Sequence, residues 1–456
     1  MLKIAVAVKF YKGEISPFDA SALEWALSEK NAEVTVISMS PITMTPQAEY
    51  ITRLGADFIL VSDKALIGSD TLVTSKVLAE TIKRISPDIV YCGRQSVDGD
   101  TAQVPAEISE LIGYDFIPYA MEKTENTVKT RYGEREITGK TVISWEKTKT
   151  LRAASIRSKK REVKVIGIKE LGLKETETGF IGSPTKVIKT FESERGKRRC
   201  KFIDKSRLYE EIEKAKNKKT TTEEIKKSGK KLKRAVIVGE GLNEFGEEIS
   251  EEIVRIPAEN KPPSEIAEKI KELKIKNVFF KSDPFNRVLA PKVAAILNAG
   301  LCADCVNAET DGEKTFVYRP AAEGKIIAKI ESESEYFLAT MRENGNKSDD
   351  IVIGVGYGAK DSLKKIEQAA KKLNAAIAGT RKAVDCGILP YESQVGLTGK
   401  TINPKVYIAI GISGAIQHIT GIEQSETVIA INCDKNAEIF EYADIGVKEK
   451  IEDVEL

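Results

Sequence analysis

The only histidine of this 456-residue chain, His418, lies where an anionic ligand could bind. It follows the segment Gly411-Ile412-Ser413-Gly414, which itself follows an apolar run at residues 406–410. The run predicts a buried strand, the glycines a tight turn, and the next residues the first turn of a helix. The free N–H groups of such a helix favour a phosphate or a flavin. An ordinary loop with a structural histidine is the alternative.

Three further segments place polar residues around the same strand. Residues 394–400 form a glycine-rich polar loop before it, and residues 427–434 predict another strand that ends in polar residues. Residues 380–387 add a threonine, an arginine and an aspartate. Open α/β sheets bind ligands at the carboxyl ends of their strands, so the sequence predicts a cofactor site at that edge.

Together these segments closely resemble the C-terminal flavin domain of the electron-transfer flavoprotein alpha subunit, from about residue 351 to residue 444. The resemblance implies a doubly wound parallel sheet that binds FAD. It implies the following cofactor-binding residues: Thr380, Arg381, Gln394, Val395, Gly396, Leu397, Thr398, Ser413, Gly414, Ala415, Ile416, Gln417, His418 and Asn432.

The resemblance also implies individual roles. Thr398 would hydrogen-bond the flavin near N5, and Arg381 would lie against the ring. A guanidinium is always charged, so Arg381 would raise the first reduction potential. His418 would face the pyrimidine oxygen O2, and Asn432 would contact the adenosine side.

Three positions depart from the pattern of this family. Tyr357 stands where an arginine is common, Thr380 where a serine is common, and Lys450 where an acidic residue is common. These departures put the FAD affinity and the position of the pyrophosphate in question.

The N-terminal half resembles the beta subunit of the same family, most clearly in the loop after Cys92 and in residues 16–27. The resemblance implies a nucleotide site that holds AMP in many relatives and a second FAD in the electron-bifurcating branch. The sequence does not decide between them. The implied residues are Ala7, Phe18, Asp19, Met39, Gly93, Gln95, Asp98, Asp100, Thr101, Gln103 and Val104.

Residues 151–161 resemble the recognition loop of the beta subunit, shortened by about four residues. The resemblance implies that Ile156 is the apolar anchor for a partner dehydrogenase. A plain basic surface loop is the alternative.

A faint internal repeat supports two copies of one α/β unit. The strand pattern at residues 88–92, Pro105, Gly113 and Asp115 recur as residues 277–280, Pro291, Gly300 and Asp304. Between the copies, residues 191–234 carry 17 lysines and arginines against 8 acidic residues. Leu208, Ile212 and Ala215 there predict a helical strap, followed by a linker.

The predicted fold class is therefore α/β, with two related nucleotide-binding-like units and a C-terminal doubly wound FAD-binding domain. The predicted domains are 1–190, beta-like; 191–234, strap and linker; 235–342, alpha-like N-terminal; and 343–456, FAD-binding.

Composition limits the remaining functions. No apolar stretch approaches the roughly 20 residues that a membrane helix needs, and a formal net charge of +2 argues against nucleic-acid binding. The N-terminus is a short strand pattern without a signal peptide, so we expect a cytoplasmic protein. Cys302 and Cys305 form the only close cysteine pair, and we interpret them as core residues because zinc would need two further ligands.

The sequence thus predicts an electron-transfer flavoprotein with both subunits fused, beta first. It would carry electrons from flavin dehydrogenases, such as the acyl-CoA dehydrogenases of fatty acid oxidation, to a quinone reductase or another acceptor. Because the cofactor carries the chemistry, no catalytic acid, base or metal is predicted. The alternatives are an NADH-dependent bifurcating flavoprotein with two FAD molecules and a regulatory nucleotide-binding module without redox work.

Overall fold

The computed structural model of the chain describes residues 1–192, 198–217, 230–321, 326–342, 350–396, 399–400, 402–423 and 425–455. The chain divides into two compact units. Unit 1 comprises residues 1–190, 228–322 and 328–342, and unit 2 comprises residues 191–227, 323–327 and 343–456. We call residues 1–190 repeat A and residues 230–342 repeat B. Both lie within unit 1, apart from a short segment of repeat B.

Repeat A is built on one nine-stranded sheet in the order β11-β5-β4-β1-β6-β10-β7-β8-β9. The named strands are β1 Leu2–Ala7, β2 Phe10–Tyr11, β3 Glu14–Ile15, β4 Ala32–Met39, β5 Asp57–Val61, β6 Ile89–Gly93, β7 Asp115–Thr124, β8 Thr127–Thr130, β9 Gly133–Glu136, β10 Thr141–Trp145 and β11 Val163–Ile166. The helices are α1 Pro17–Leu27, α2 Thr45–Thr52, α3 Thr71–Ile85, α4 Val104–Ile112, α5 Ile168–Leu171 and α6 Gly179–Gly182.

Helices cover both faces of this sheet. Alternate residues of β1 pack against α1 on one face and against α3 and α4 on the other. The central strands are therefore continuous buried apolar runs, as expected for parallel strands. The chain order reverses between β1 and β6, which makes that point the ligand-binding position of a doubly wound sheet.

Strand β12 Thr185–Glu192 begins at the end of repeat A, and the segment between the repeats contains β13 Lys201–Phe202 and helix α7 Leu208–Lys216. Leu208, Ile212 and Ala215 are the buried residues of α7, so the predicted apolar stripe is confirmed. They pack into the core of unit 2. The predicted linker falls largely on residues 218–229, which lie outside the described residues.

Repeat B repeats the strand order of repeat A as β15-β14-β16-β21-β17. Its strands are β14 Leu232–Val238, β15 Ser250–Ile256, β16 Asn277–Lys281, β17 Leu301–Cys305, β18 Asn307–Thr310, β19 Thr315–Ala321, β20 Ile326–Ser332 and β21 Phe337–Met341. Its helices are α8 Asn243–Ile249, α9 Pro263–Leu273 and α10 Asn286–Leu297. A smaller sheet has the order β12-β20-β19-β18.

The two repeats also share an irregularity. A bulge interrupts β7 beside β10 and β17 beside β21, with Tyr119 at φ 59° and Asp304 at φ 60°. The N–H of Tyr119 donates to the Ser144 hydroxyl at 3.2 Å, and the N–H of Asp304 donates to the Thr340 hydroxyl at 2.7 Å. Because strand order, bulge and hydrogen bond all coincide, Tyr119 and Asp304 are equivalent positions.

This equivalence corrects the register that the sequence suggested. Asp304 does not correspond to Asp115, because Asp115 begins β7 whereas Asp304 lies in the bulge. Gly113 ends α4 in the left-handed conformation, and its equivalent at the end of α10 is Asn298 rather than Gly300. The sequence comparison aligned glycine with glycine and aspartate with aspartate, and this gave the wrong alignment of the two repeats. Asparagine also adopts the left-handed conformation, so Asn298 can end α10 as Gly113 ends α4.

Unit 2 contains a six-stranded sheet in the order β13-β26-β25-β24-β22-β23, all parallel. The remaining elements are β22 Ile351–Val355, α11 Leu363–Leu373, β23 Ala376–Gly379, α12 Arg381–Asp385, β24 Val406–Ile410, α13 Ile416–Ile419, β25 Thr427–Ile431 and β26 Ile445–Val447. The order reverses between β22 and β24. The predicted doubly wound sheet is confirmed.

Cys302 and Cys305 lie in β17 and are packed in the apolar core of repeat B, as the core interpretation predicts. Within the described part of the chain, no cluster of three or more potential metal ligands occurs. No helix there has the length and apolar character needed to span a membrane.

Candidate functional site

In unit 2, the loops after β22 and β24 meet at the point where the strand order reverses. A Cβ atom on Gly356 would lie 2.0 Å from the carbonyl oxygen of Gly411, so only glycine allows this approach. The turn after Gly411 is fixed in its own way, because the N–H of Ile439 donates to the carbonyl of Ser413 at 3.0 Å. Gly356 and Gly411 therefore allow the two loops to approach each other at the sheet edge where the sequence predicts the cofactor site.

Some predicted FAD residues are accessible at this edge. The side chains of Ser413, Ala415 and Gln417 are exposed, and Thr380, Arg381 and Ile416 are partly exposed. Helix α13 has a single turn of four residues, so it supplies little of the helix dipole that the sequence suggested. Binding at this turn would rest on local N–H groups and side chains.

Other predicted FAD residues are buried and hold the loops together: Gln394, Val395, Gly396, Gly414, His418 and Asn432. Asn432 donates its amide to the carbonyl of Ile412 at 2.8 Å and accepts from the N–H of Asp434 at 2.9 Å. Its side chain therefore links β25 to the turn after β24. Leu397 and Thr398 lie outside the described residues.

His418 is buried, and both ring nitrogens make hydrogen bonds within unit 2. Nδ1 lies 3.1 Å from the carbonyl oxygen of Val395, and Nε2 lies 2.9 Å from the hydroxyl of Tyr407. A carbonyl only accepts, so Nδ1 carries the proton and Tyr407 donates to Nε2. Burial lowers the pKa of His418 to about 4, which keeps the ring neutral at pH 7.

This arrangement corresponds to the structural alternative for His418. The ring supports the glycine-rich loop through the hydrogen bond of Nδ1 to the Val395 carbonyl. Contact with the flavin oxygen O2 would require the ring to give up one of its two hydrogen bonds.

Positive charge surrounds Tyr357, one of the three positions that depart from the expected family pattern. The ring of Tyr357 has the Lys382 ammonium 4.6 Å and the Lys360 ammonium 5.2 Å from its centroid. Arg381 lies next to Lys382 and pairs with Asp385 at 3.2 Å. Thr380 caps α12 by accepting from the N–H of Ala383 at 3.3 Å, so it orients Arg381.

In repeat A, the point of reversal between β1 and β6 opens into a cavity of about 440 Å³. This volume falls within the range of roughly 300 to 1,000 Å³ that small-molecule sites occupy. The walls include the ends of both strands and the loop at residues 93–104. The predicted residues that line it are Ala7, Asp19, Met39, Gly93, Gln95, Thr101, Gln103 and Val104.

The other three predicted residues do not line the cavity but hold its walls. Asp98 pairs with the Lys9 ammonium at 2.6 Å, which links the loop to the end of β1. Asp100 accepts from the Gln95 amide at 3.0 Å. Phe18 lies under the Arg94 guanidinium, 5.0 Å from its ring centroid.

Asp19 joins the two strand ends at the cavity. Its carboxylate accepts from the N–H of Lys9 at 2.9 Å and from the N–H of Gly93 at 3.0 Å. Burial raises the pKa of Asp19 to about 7, although both N–H groups favour the charged form. The carboxylate therefore titrates near neutral pH at a wall of the cavity.

A buried ion cluster adjoins the same cavity. Glu146 contacts Arg94 at 3.1 Å and Arg131 at 2.8 Å, and each side chain is at most 4% exposed. Arg94 also lines the cavity, together with Lys9 and the carboxylates Asp19 and Asp70.

The predicted docking residue lies on a fixed loop. Ile156 is 98% exposed. The loop is attached to α2, because Arg53 donates to the carbonyl of Ser155 at 3.0 Å and the Tyr50 hydroxyl accepts from the N–H of Ala154 at 3.3 Å. The side chain of Ile156 is thus exposed to solvent on a loop that hydrogen bonds hold against α2.

Comparison with known proteins bears on both sites. The electron transfer flavoprotein domain matches residues 4–166 and 264–377, with one part in repeat A and the other beginning in repeat B. The electron transfer flavoprotein FAD-binding domain matches residues 347–423. The chain belongs to the electron transfer flavoprotein family. It is an electron-transfer flavoprotein that uses FAD, and its FAD-binding domain includes the glycine-rich edge of unit 2.

Individual relatives agree with this family. The electron transfer flavoprotein subunit alpha of Syntrophomonas wolfei is 34% identical over 220 residues, which cover 39% of this chain and 69% of the relative. Protein FixB of Clostridium saccharobutylicum is 34% identical over 214 residues, covering 37% and 64%. The subunit alpha of Paracoccus denitrificans is 50% identical over 94 residues, covering 21% and 30%.

Sequence reasoning missed several residues at these sites. Tyr407, the partner of His418, lies inside a strand, where its hydroxyl gives no distinct signal. The segment at residues 68–71 lines the repeat A cavity, and only the helix-capping Asp70 marks it in the sequence. Lys382 differs from its surroundings only by charge.

Proposed function

We propose that this single chain combines a beta-like half and an alpha-like half of an electron-transfer flavoprotein, with domains at 1–190, 191–234, 235–342 and 343–456. The two-part family match supports this division, because one part lies in repeat A and the other begins in repeat B and extends to residue 377. Each half would contribute one copy of the same α/β unit, and unit 2 would carry the redox cofactor.

FAD would bind at the edge of unit 2 where the loops after β22 and β24 meet. The observation that carries this proposal is the glycine-fixed reversal point inside the segment that matches the FAD-binding domain. When bound, FAD supplies the electron-accepting and electron-donating chemistry. The accessible residues Thr380, Arg381, Ser413 and Gln417, together with Thr398, would contact it.

The protein residues would tune this cofactor in two ways. Arg381, Lys382 and Lys360 place positive charge near the edge, which favours added negative charge and so raises the reduction potential. The hydrogen bonds of His418 and Asn432 fix the loops, so the contacting groups need little rearrangement when electrons move.

The cavity of repeat A would hold AMP. Its volume of about 440 Å³ lies within the range of small-molecule sites, so the cavity has room for a mononucleotide. The glycine-rich loop and the Arg94 guanidinium would face its phosphate side. A second flavin in this cavity would instead support the bifurcating alternative.

Electron donors would be flavin dehydrogenases, and the acceptor a quinone reductase or a similar protein, in the cytoplasm. Ile156 would enter an apolar pocket on the donor, because it is exposed on a braced loop. Burial of one isoleucine is worth roughly 2 kcal/mol. Ile156→Ala should therefore slow flavin reduction by an acyl-CoA dehydrogenase, and an unchanged rate would contradict this role.

The FAD site is tested by Ser413→Tyr in the full-length chain. The side chain of Ser413 is exposed, so a tyrosine fits the protein but fills the space of the ligand. Ser413→Ala is the matched control, because it leaves the backbone bond to Ile439 in place. We expect Ser413→Tyr to lose bound flavin and the control to keep it. A folded Ser413→Tyr protein with full flavin content would contradict the site.

A further inference from the structure

One side chain of repeat B reaches the nucleotide loop of repeat A. Arg319 lies in β19 and is 6% exposed. Its Nη2 donates to the carbonyl oxygen of Gly99 at 2.8 Å. Gly99 belongs to the loop at residues 93–104 and lines the cavity. The wall of the repeat A cavity is thus held by a residue 220 positions away in sequence.

The Arg319 guanidinium has no ion-pair partner within the part of the chain that the structure describes. Among the described residues, no carboxylate lies within ion-pair distance of its guanidinium, and its buried Nε has no hydrogen-bond partner. A buried charge without an ion-pair partner is costly, so an anion bound nearby would stabilise it. Neither the FAD site nor the docking loop uses this charge.

A second contact between the repeats supports the same loop. The amide of Gln103 donates to the carbonyl of Leu301 in β17 at 3.0 Å, and it accepts from the Thr71 hydroxyl at 2.5 Å. Residues 99 and 103 therefore both rest on repeat B. The segment between them includes Thr101, which lines the cavity.

We propose that Arg319 is a positioning residue for a phosphate-bearing nucleotide in the repeat A cavity. It fixes the loop through Gly99 from behind the cavity lining, and its charge attracts the phosphate of the ligand across that loop. This inference rests on the proposed nucleotide site of repeat A. A residue of repeat B would thus help to form the nucleotide site of repeat A.

The test compares AMP with adenosine, which lacks the phosphate. Affinities of both are measured by calorimetry on the full-length chain after bound nucleotide is removed. Arg319→Met removes the charge and the donor, Arg319→Lys keeps both, and Arg234→Met is the control because Arg234 is an exposed arginine of the same repeat. A wild-type chain that binds neither compound would refute the proposed site itself.

We expect Arg319→Met to bind AMP at least tenfold more weakly, about 1.4 kcal/mol, and to bind adenosine less than threefold more weakly. Arg319→Lys should stay within threefold of the wild type for AMP. Unchanged AMP affinity, or equal losses for AMP and adenosine, would overturn the proposal. If Arg319→Met does not fold, Arg319→Gln tests the same point, and a folded Gln variant with the wild-type affinity ratio would overturn it.

Discussion

The two repeats of unit 1 share a strand order and a bulge, but they differ at the point where the strand order reverses. In repeat A, residues 94–103 separate β6 from α4, and the space beside them is a cavity. In repeat B, only residues 282–285 separate β16 from α10, and Arg287 and Ser282 close in on Asp304 there. The shorter loop of repeat B thus brings polar side chains together at the position where the longer loop of repeat A borders a cavity.

Each repeat nevertheless buries one carboxylate between two arginines. In repeat A the carboxylate is Glu146, which follows β10, and in repeat B it is Asp304, which occupies the bulge of β17. The acid comes from non-equivalent positions. Both repeats thus place a carboxylate between two arginines, although the carboxylate comes from a different position in each repeat.

The largest expected effect comes from removing either carboxylate. Asp304→Ala and Glu146→Ala each remove a carboxylate that pairs with two guanidinium groups, which should lower the free energy of unfolding by about 3–5 kcal/mol. Urea unfolding measures it. The exposed pair Arg234–Glu252 is the control, and Glu252→Ala should cost less than about 1 kcal/mol. If one of the two carboxylate variants lost less than about 1 kcal/mol, the buried carboxylates of the two repeats would not have the same role.

The second prediction concerns pH, because the two repeats shift their carboxylates in opposite directions. Burial opposes ionisation of Asp304, but Arg287 and Arg342 outweigh it and hold its pKa well below the usual range. Its contribution is present above about pH 4 and is lost only in stronger acid. Asp19 has a raised pKa of about 7, so its contribution is present in acid and is lost as the pH rises from about 4 to about 7.

Asp19→Asn removes this titration. The wild type should therefore lose stability relative to the variant between pH 4.5 and pH 7.5, by about 3 kcal/mol. Unfolding of both proteins at the two pH values measures the change. A difference between the proteins that stays constant with pH would show that Asp19 does not titrate as its burial implies.

The third prediction compares one equivalent position in the two repeats. A Cβ on Gly93 would lie 2.2 Å from a carboxylate oxygen of Asp19, so Gly93→Ala should displace that carboxylate and the cavity wall. AMP affinity should fall at least tenfold, about 1.4 kcal/mol, with the flavin content unchanged. Repeat B carries Lys281 at the equivalent position, and Lys281→Ala should leave AMP affinity unchanged. Equal effects of the two substitutions would remove the distinction between the repeats.

Much of the fold could be predicted from the sequence because its signals are local. Apolar runs such as residues 406–410 give strands, and the apolar stripe of Leu208, Ile212 and Ala215 gives a helix. The repeat was visible too, but its register was wrong, since a matching aspartate and glycine outweighed the positions of Asn298 and the bulge.

The sites were less predictable because their contacts are non-local. The ring of His418 is fixed by Tyr407 and by Val395, 23 residues away, and no local pattern reveals that both nitrogens are engaged. The contact from Arg319 to Gly99 joins different repeats. Sequence reasoning identified segments that reach the right sheet edge, but it could not assign which side chains face a ligand and which hold the loops.

The most direct test is an absorption spectrum of the purified chain, combined with chromatography of the nucleotides that it releases on unfolding. We expect flavin absorption with one FAD per chain, bound in unit 2, and one AMP per chain, bound in repeat A. A colourless chain would contradict the flavin site, and two FAD molecules without AMP would contradict the assignment of the repeat A cavity.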